Sequence, residues 1–218
     1  MKEFTDVELV TMKNEFVELI NSITRGGIRK QELLDKLENS DFYTAPASTR
    51  FHNSIKGGLL NHSLNVYHNL NTLVRTYGLQ DKISEDTIKI VGLLHDMGKI
   101  NYYKSYFKNE KRYWSGGSKH DEGGNFDWVT VQSYTVVDDK DRFLFGNHEQ
   151  TCEYMVSIYV PLTYTETIAL LHHHAGMGSD CAQDNVSAIF NRYPLATLLH
   201  IADMLSVYLE EYTDEQIY

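Results

Sequence analysis

Apolar residues recur at helical intervals through most of the chain and give way to strand-like alternation in one stretch. Residues 3–22 set Phe4, Val7, Val10, Phe16, Leu19 and Ile20 on a repeating face, with Ile23 just beyond, and predict a first helix. Arg25-Gly26-Gly27 ends it, because glycine readily takes the left-handed dihedrals of a helix terminus. A shorter helix is expected from Ile28 to Leu37, and Asn39 to Arg50, which contains Pro46, reads as a loop. From Gly58 to about Tyr77, Leu59, Val66, Leu70, Leu73 and Tyr77 share one face, and Gly78 marks the stop. Another helix runs from about Glu85 through Ile88, Val91 and Leu94 to Gly98. Helical spacing resumes at His148–Tyr159, Thr163–His173 and Pro194–Leu209. Pro161 divides the first two of these, and Pro194 suits the first turn of the last.

Residues 101–146 have a different texture. Tyrosines crowd in, and Trp128 to Val137 alternate with β-branched residues in the manner of a strand. The glycine-rich SGGSKHDEGGN between Trp114 and Phe126 would join that strand to a partner near Lys111 to Trp114. The expected fold is therefore mainly α, with helices round a shared interior and a small β-hairpin insertion near residues 101–146. The insertion reads either as a surface flap or as a lid over a substrate.

Composition narrows the class. A chain of 218 residues with 42% hydrophobic and 23% charged residues is ordinary for a soluble globular protein. It can bury one sizeable core. The formal net charge of -10 comes with no basic stripe of the kind that displaces counterions from long nucleic acid, so a long nucleic acid is not the expected partner. A small anionic substrate stays compatible, since a bound divalent cation supplies positive charge locally. Cys152 and Cys181 have no metal-binding spacing and read as two ordinary thiols. The amphipathic, acidic N-terminus lacks the apolar stretch of a signal peptide, and no run of about 18 apolar residues occurs, so a cytoplasmic protein without a membrane span is expected.

The chain has 10 histidines, and their positions say more than their number. His62 lies three residues after Leu59 and four before Val66, on the apolar face of its helix. His95 follows Val91 by four, and Asp203 follows Leu199 by four, so both also point inward. A buried histidine can be a satisfied structural residue, but a buried lone carboxylate is costly without a charge or metal beside it. The adjacent His95-Asp96 of LLHDMGK can aim a nitrogen and an oxygen at one ion. Gly98-Lys99 there terminates the helix, and the lysine would also stand near a bound phosphate. His148 in FGNHEQTCEYM and the run His172-His173-His174 after an apolar helix complete the inventory. No HExxH occurs, which removes a zinc-peptidase reading.

In this order, His62, His95-Asp96, His148, His173 and Asp203 resemble the HD-domain metal-dependent phosphohydrolases. The segments RFHNSIKGGLLNHSLNV, VGLLHDMGK, LLHHHAG and ATLLHIADMLSVY look like the family's, over roughly Arg50 to Val207. The resemblance implies a single HD-type domain over 1–218, with a helical extension at 1–49 and the HD core at 50–210. It also implies a first metal on His62, His95, Asp96 and Asp203, with Asp96 bridging to a second on His148 and His173. NHEQT departs from the family's usual glycine-histidine pair. Within the triple, matching Ala169-Leu170 to the family's apolar pair favours His173 first with His174 beside it, and His172 is the alternative. Mixed nitrogen and carboxylate donors suit Mn, Fe, Co, Ni or Mg, and the resemblance implies two such ions, which would acidify a water between them. Asp96 and Lys99 are the expected catalytic pair, and Arg50, His52 and Lys99 the expected contacts to substrate phosphate. The expected substrate is a small phosphorylated molecule, foremost a nucleotide, with Tyr113, Trp114 and Trp128 as a stacking surface if they face the metals. A 3′–5′ exonuclease and a non-catalytic sensor are the competing readings.

Overall fold

The computed structural model describes residues 3–50, 52–141, 143, 146–175 and 185–211, so Cys181 lies outside the described residues. Helix α1 (Asp6–Asn21) starts at Thr5, whose hydroxyl and the Glu8 carboxylate form a reciprocal capping box. Ser22, not the Gly26-Gly27 pair, caps its end. Helix α2 (Lys30–Glu38) follows, and its Leu33 and Leu37 are buried with Phe16 and Ile20 of α1 in the common core. The next two elements are α3 (Gly58–Thr76) and α4 (Glu85–Leu94), the latter capped by Ser84. They pack tightly: a Cβ on Gly92 would lie 2.8 Å from the Tyr67 backbone, so glycine there lets α4 close on α3. The chain then tightens into a 3-10 turn, Met97–Lys99.

The insertion lies within the expected residues 101–146, but its strands are longer than the sequence suggests. Strand β1 (Tyr103–Tyr113) pairs antiparallel with β3 (Gly124–Val136) along its whole length, from Tyr103↔Val136 to Tyr113↔Phe126. A short β2 (Lys119–Asp121) adds to the other edge of β3, giving the order β1-β3-β2. The expected partner near Lys111–Trp114 is only the tip of β1. Most of β1 is exposed on both faces, so it carries no two-residue alternation for the sequence to display.

Beyond the insertion come α5 (His148–Ser157) and α6 (Tyr164–Leu171), each opened by a capping box, Asn147 with Gln150 and Thr163 with Glu166. Helix α7 (Val186–Arg192) was not legible, since it is short and buries none of its side chains. Helix α8 (Pro194–Leu205) runs on into a π-helical turn, Ser206–Glu211. The central layer is α3 against α4 and α8, with α6 packed on α8 and α5 on the Met97–Lys99 turn. The fold is thus mainly α with a small antiparallel sheet, as expected. No helix among the described residues is long and apolar enough to cross a membrane.

Candidate metal centre

Four elements of this layer deliver polar side chains to one buried place. His62 comes from α3, His95 and Asp96 from the end of α4, His148 from the first turn of α5, and Asp203 from α8. His173 and His174 follow the end of α6. His62, His95, Asp96, His173 and Asp203 are each no more than 4% exposed, which removes the chance that the gathering is a solvated surface cluster. The spacing that places His62, His95 and Asp203 on apolar faces thus brings them together.

Asp96 stands at the middle. Its Oδ2 lies 3.4 Å from His62 Nε2 and 3.6 Å from His95 Nε2, while its Oδ1 lies 2.8 Å from His148 Nε2 and 3.8 Å from His173 Nε2. Asp203 spans in a similar way, with Oδ1 3.3 Å from His62 Nε2 and Oδ2 3.2 Å from His174 Nε2. Of the triple, His173 and His174 therefore stand in the cluster. His172 caps α6 instead.

Outer partners orient the rings. His95 Nδ1–H donates to the Gly92 carbonyl at 2.9 Å, and His173 Nδ1–H to the Leu170 carbonyl at 2.6 Å. His62 Nδ1 faces both Glu211 oxygens at 3.1 Å, and His174 Nδ1 faces Glu149 Oε1 at 3.2 Å. A donor on the outer nitrogen leaves the inner Nε2 lone pair free for an ion.

These residues fit a metal. His62 Nε2 and His95 Nε2 are 3.1 Å apart, close to the roughly 3.0–3.4 Å expected of two nitrogens each about 2.1 Å from one ion. His173 Nε2 and Asp203 Oδ1 are buried and make no hydrogen bond among the described residues. Such atoms are costly to bury unless something positive or polar meets them. Electrostatics point the same way. Burial would raise Asp96, but Lys99, His95 and His148 hold its carboxyl well below the usual carboxylate range. Burial would raise Asp203 too, and His174 and His62 hold it well down. Burial pushes His95 down to about 3, so it stays a neutral donor. Burial also opposes charge on His62 and His174, yet Glu211 and Asp203 raise His62 well above its ordinary value, and Asp203 and Glu149 raise His174 to about 9. In the absence of a cation, protons at those two rings supply the compensating charge.

Other expected residues sort out differently. Lys99 is buried and donates to Asp96 Oδ2 at 2.6 Å. The His52 ring lies 5.2 Å from that of His62, and burial with the His62 charge pushes it down to about 4. Arg50 is not in the cluster: it is exposed and lines a hollow of about 350 Å³ with Thr49, Tyr106, Lys108 and Ser133 at the root of the hairpin. Tyr113, Trp114 and Trp128 are half-exposed at the distal end of the hairpin. Tyr113 lies about 33 Å along the strand from Tyr103, so these rings do not face the buried cluster.

Sequence reasoning missed Glu211, Glu149 and Cys152. Glu149 is adjacent to His148, and Cys152 lies one helical turn after it, with Sγ 3.5 Å from His148 Nε2. That turn spacing was a usable signal. Glu211 sits in an acidic run that reads as solvated, and only the π-helical turn carries it inward.

Searches of curated proteins and of solved structures returned no match to the chain. The sequence does match the HD domain over residues 59–208, a span that holds His62, His95, Asp96, His148, His173, His174 and Asp203 together with all three strands of the insertion. The chain therefore belongs to the HD-domain superfamily, whose members are in general metal-dependent phosphohydrolases.

Proposed function

We propose that this chain hydrolyses a phosphate ester of a small molecule, with a nucleotide as the leading substrate class. The observation that carries the reading is the split of Asp96: one oxygen faces His62 and His95, the other His148 and His173. That split supports two divalent ions, the first on His62, His95, Asp96 and Asp203, the second on Asp96, His148 and His173, with His174 beside it. When bound, such ions acidify a water for attack on phosphorus and neutralise the phosphoryl oxygens. Mixed imidazole and carboxylate donors suit Mn, Fe, Co, Ni or Mg.

The chain's own groups do the positioning. Glu211 and the Gly92 and Leu170 carbonyls fix the inner faces of three imidazoles, so the donor set needs little rearrangement to receive ions. Lys99 keeps Asp96 ionised and places an ammonium beside it, where a phosphoryl oxygen meets a fixed charge in the transition state. His52, neutral and next to His62, can hydrogen-bond a phosphate oxygen through its buried, unpaired Nε2. Arg50, two residues away, opens onto the hollow it shares with Lys108, and these two cations suit the outer, anionic part of a substrate. The matched span supports an HD core at 50–210, with residues 1–49 as an extension that shares its hydrophobic core.

The test is a phosphohydrolase screen over nucleotides, cyclic dinucleotides and short oligonucleotides, each with Mn, Co, Ni and Mg. Metal-dependent release of phosphate or nucleotide from a small substrate is expected. Metal binding without turnover of any phosphate ester would favour a sensor.

A further inference from the structure

We propose that the open edge of the hairpin sheet pairs with the same edge of a second copy of this chain, β1 against β1, antiparallel about a twofold axis at Asn109. The pairing is independent of the metal centre and of what is hydrolysed there.

Strand β1 lies at one edge of the order β1-β3-β2, and among the described residues β3 is its one neighbouring strand. The Val137 amide donates to the Tyr102 carbonyl and the Trp114 amide to the Asn125 carbonyl, each at 3.0 Å. Even-numbered residues of this segment therefore turn their backbone groups toward β3, and odd-numbered ones turn theirs outward. Ser105, Phe107, Asn109, Lys111 and Tyr113 are all exposed, and no strand among the described residues takes up their amides and carbonyls. The strand carries no proline, and its register with β3 runs unbroken from Tyr103 to Tyr113, so neither a proline nor a bulge blunts the edge. The sheet is also short of support. Phe126 is the one buried hydrophobic side chain on its strands, whereas a small sheet needs an apolar face packed against something to be stable.

The sequence of β1 selects both the partner and the register. Lysines on an edge normally repel a second strand, but here a twofold axis turns the charges into pairs. With the axis at Asn109, Lys108 stands across from the partner's Glu110, once on each side of the axis. Lys108 and Glu110 also form a 2.6 Å ion pair within one chain, so the four groups close into a ring of alternating charge. On that face Tyr106 falls opposite the partner's Arg112. On the other face Phe107, 74% exposed, falls opposite the partner's Lys111. Within a chain, that lysine lies 4.6 Å from the Phe126 ring and 5.8 Å from the Trp128 ring, so Phe107 joins a cation and its aromatics. An axis at Lys108 would set that lysine against itself and Lys104 against Arg112. An axis at Phe107 would carry the second strand to Tyr103, where the sheet meets the helical body and the Tyr103 hydroxyl donates to the Ala47 carbonyl. The contact is self-complementary and closes at two copies.

The test is the mass of the full chain in solution, read by sedimentation equilibrium across the micromolar range. The wild type is expected to approach twice the chain mass as concentration rises. Glu110→Lys and Lys108→Glu should each raise the dimer dissociation constant at least about tenfold, since each sets two like-charged pairs across the axis, and the double exchange should restore association. The Asn109 amide faces the open edge, so Asn109→Pro removes two interchain hydrogen bonds, leaves the β1–β3 ladder whole and should give a monomer. Where Asn109→Pro disturbs the hairpin, the charge exchange still decides. A wild type that stays monomeric leaves the edge to a strand of some other protein and overturns the inference. A dimer that survives replacement of residues 107–132 by a short turn uses another surface and overturns it too. Monomeric single variants with no recovery in the double exchange overturn the assigned register.

Discussion

Asp96 accepts a 2.6 Å hydrogen bond from Lys99 and a 2.8 Å contact from His148 on opposite oxygens, while two further imidazoles stand within 3.6 Å of the first. No other residue of the cluster faces both histidine sets in this way except Asp203, on its outer side. Untagged protein should therefore carry one to two transition-metal ions per chain by elemental analysis, removable by a chelator and restored by Mn or Ni. Asp96→Ala should abolish hydrolysis and lower occupancy at both positions, whereas His148→Ala or His173→Ala should spare most of the first ion. Full metal content together with near wild-type turnover in Asp96→Ala would falsify the bridging assignment. Three inner residues were legible as inward-facing because a helix puts positions three and four apart on one face: His62 with Leu59 and Val66, His95 with Val91, Asp203 with Leu199; His148 and His173 rested on the resemblance. The outer ones were not. Glu211 is polar among polar neighbours, and Arg50 sits two residues from His52 in sequence yet opens onto the hairpin root.

At the scale of elements, a polar cluster adds to the apolar packing that ties the N-terminal segment to the core. Arg25 bonds both oxygens of buried Glu166 on α6, at 2.5 and 2.8 Å, and reaches Thr87 on α4. Asp86 accepts from the Thr24 and Arg25 amides. The glycine pair after Arg25 suggested only a helix stop, and nothing local announces a partner at a sequence distance of 141. Removing the guanidinium strands a buried carboxylate, so Arg25→Ala should cost about 3 kcal/mol of unfolding free energy at neutral pH. Burial alone would raise the Glu166 carboxyl, but Arg25, the Thr163 amide and Thr87 hold it below its ordinary value. Stability from a lowered carboxyl is complete above the unfolded value of about 4.3 and drains away as pH falls through the lower folded value. The gap between wild type and Arg25→Ala in urea unfolding should accordingly narrow in acid. A gap of equal size at neutral and acidic pH would show that the ion pair is not its source. The hairpin makes the opposite case: Phe126 is the one buried hydrophobic side chain along its described strands, and both faces of β1 are mainly exposed. Replacing residues 107–132 with a short turn should leave metal content intact and shift the thermal midpoint by only a few degrees, as read by calorimetry.

For the whole molecule, the α framework was readable because long apolar faces dominate it, while the full length of the insertion's strands and α7 were not, because neither buries a periodic face. Net charge then bears on substrate size. A chain at -10 repels a polyanion over distances comparable to the Debye length, and among the described residues the lysine and arginine charges are local: Lys99 inside the cluster, Arg50 and Lys108 at the hollow. Such an arrangement can neutralise the several charges of one small phosphorylated molecule. Among the described residues it offers no continuous track for the backbone of a single strand, which electrostatic grooves normally follow with basic residues. The distal aromatics Tyr113, Trp114 and Trp128 lie too far from the buried cluster to stack a base whose phosphate would be bound there. Turnover of small phosphate esters should thus exceed that of single-stranded oligonucleotides at both low and moderate salt, with only a shallow salt dependence. Arg50→Ala, by removing uniform binding of the outer anionic groups, should raise KM with kcat nearly unchanged. Stepwise shortening of oligomers, with mononucleotides left intact and rates falling steeply with salt, would instead place this chain among enzymes that act on nucleic acid.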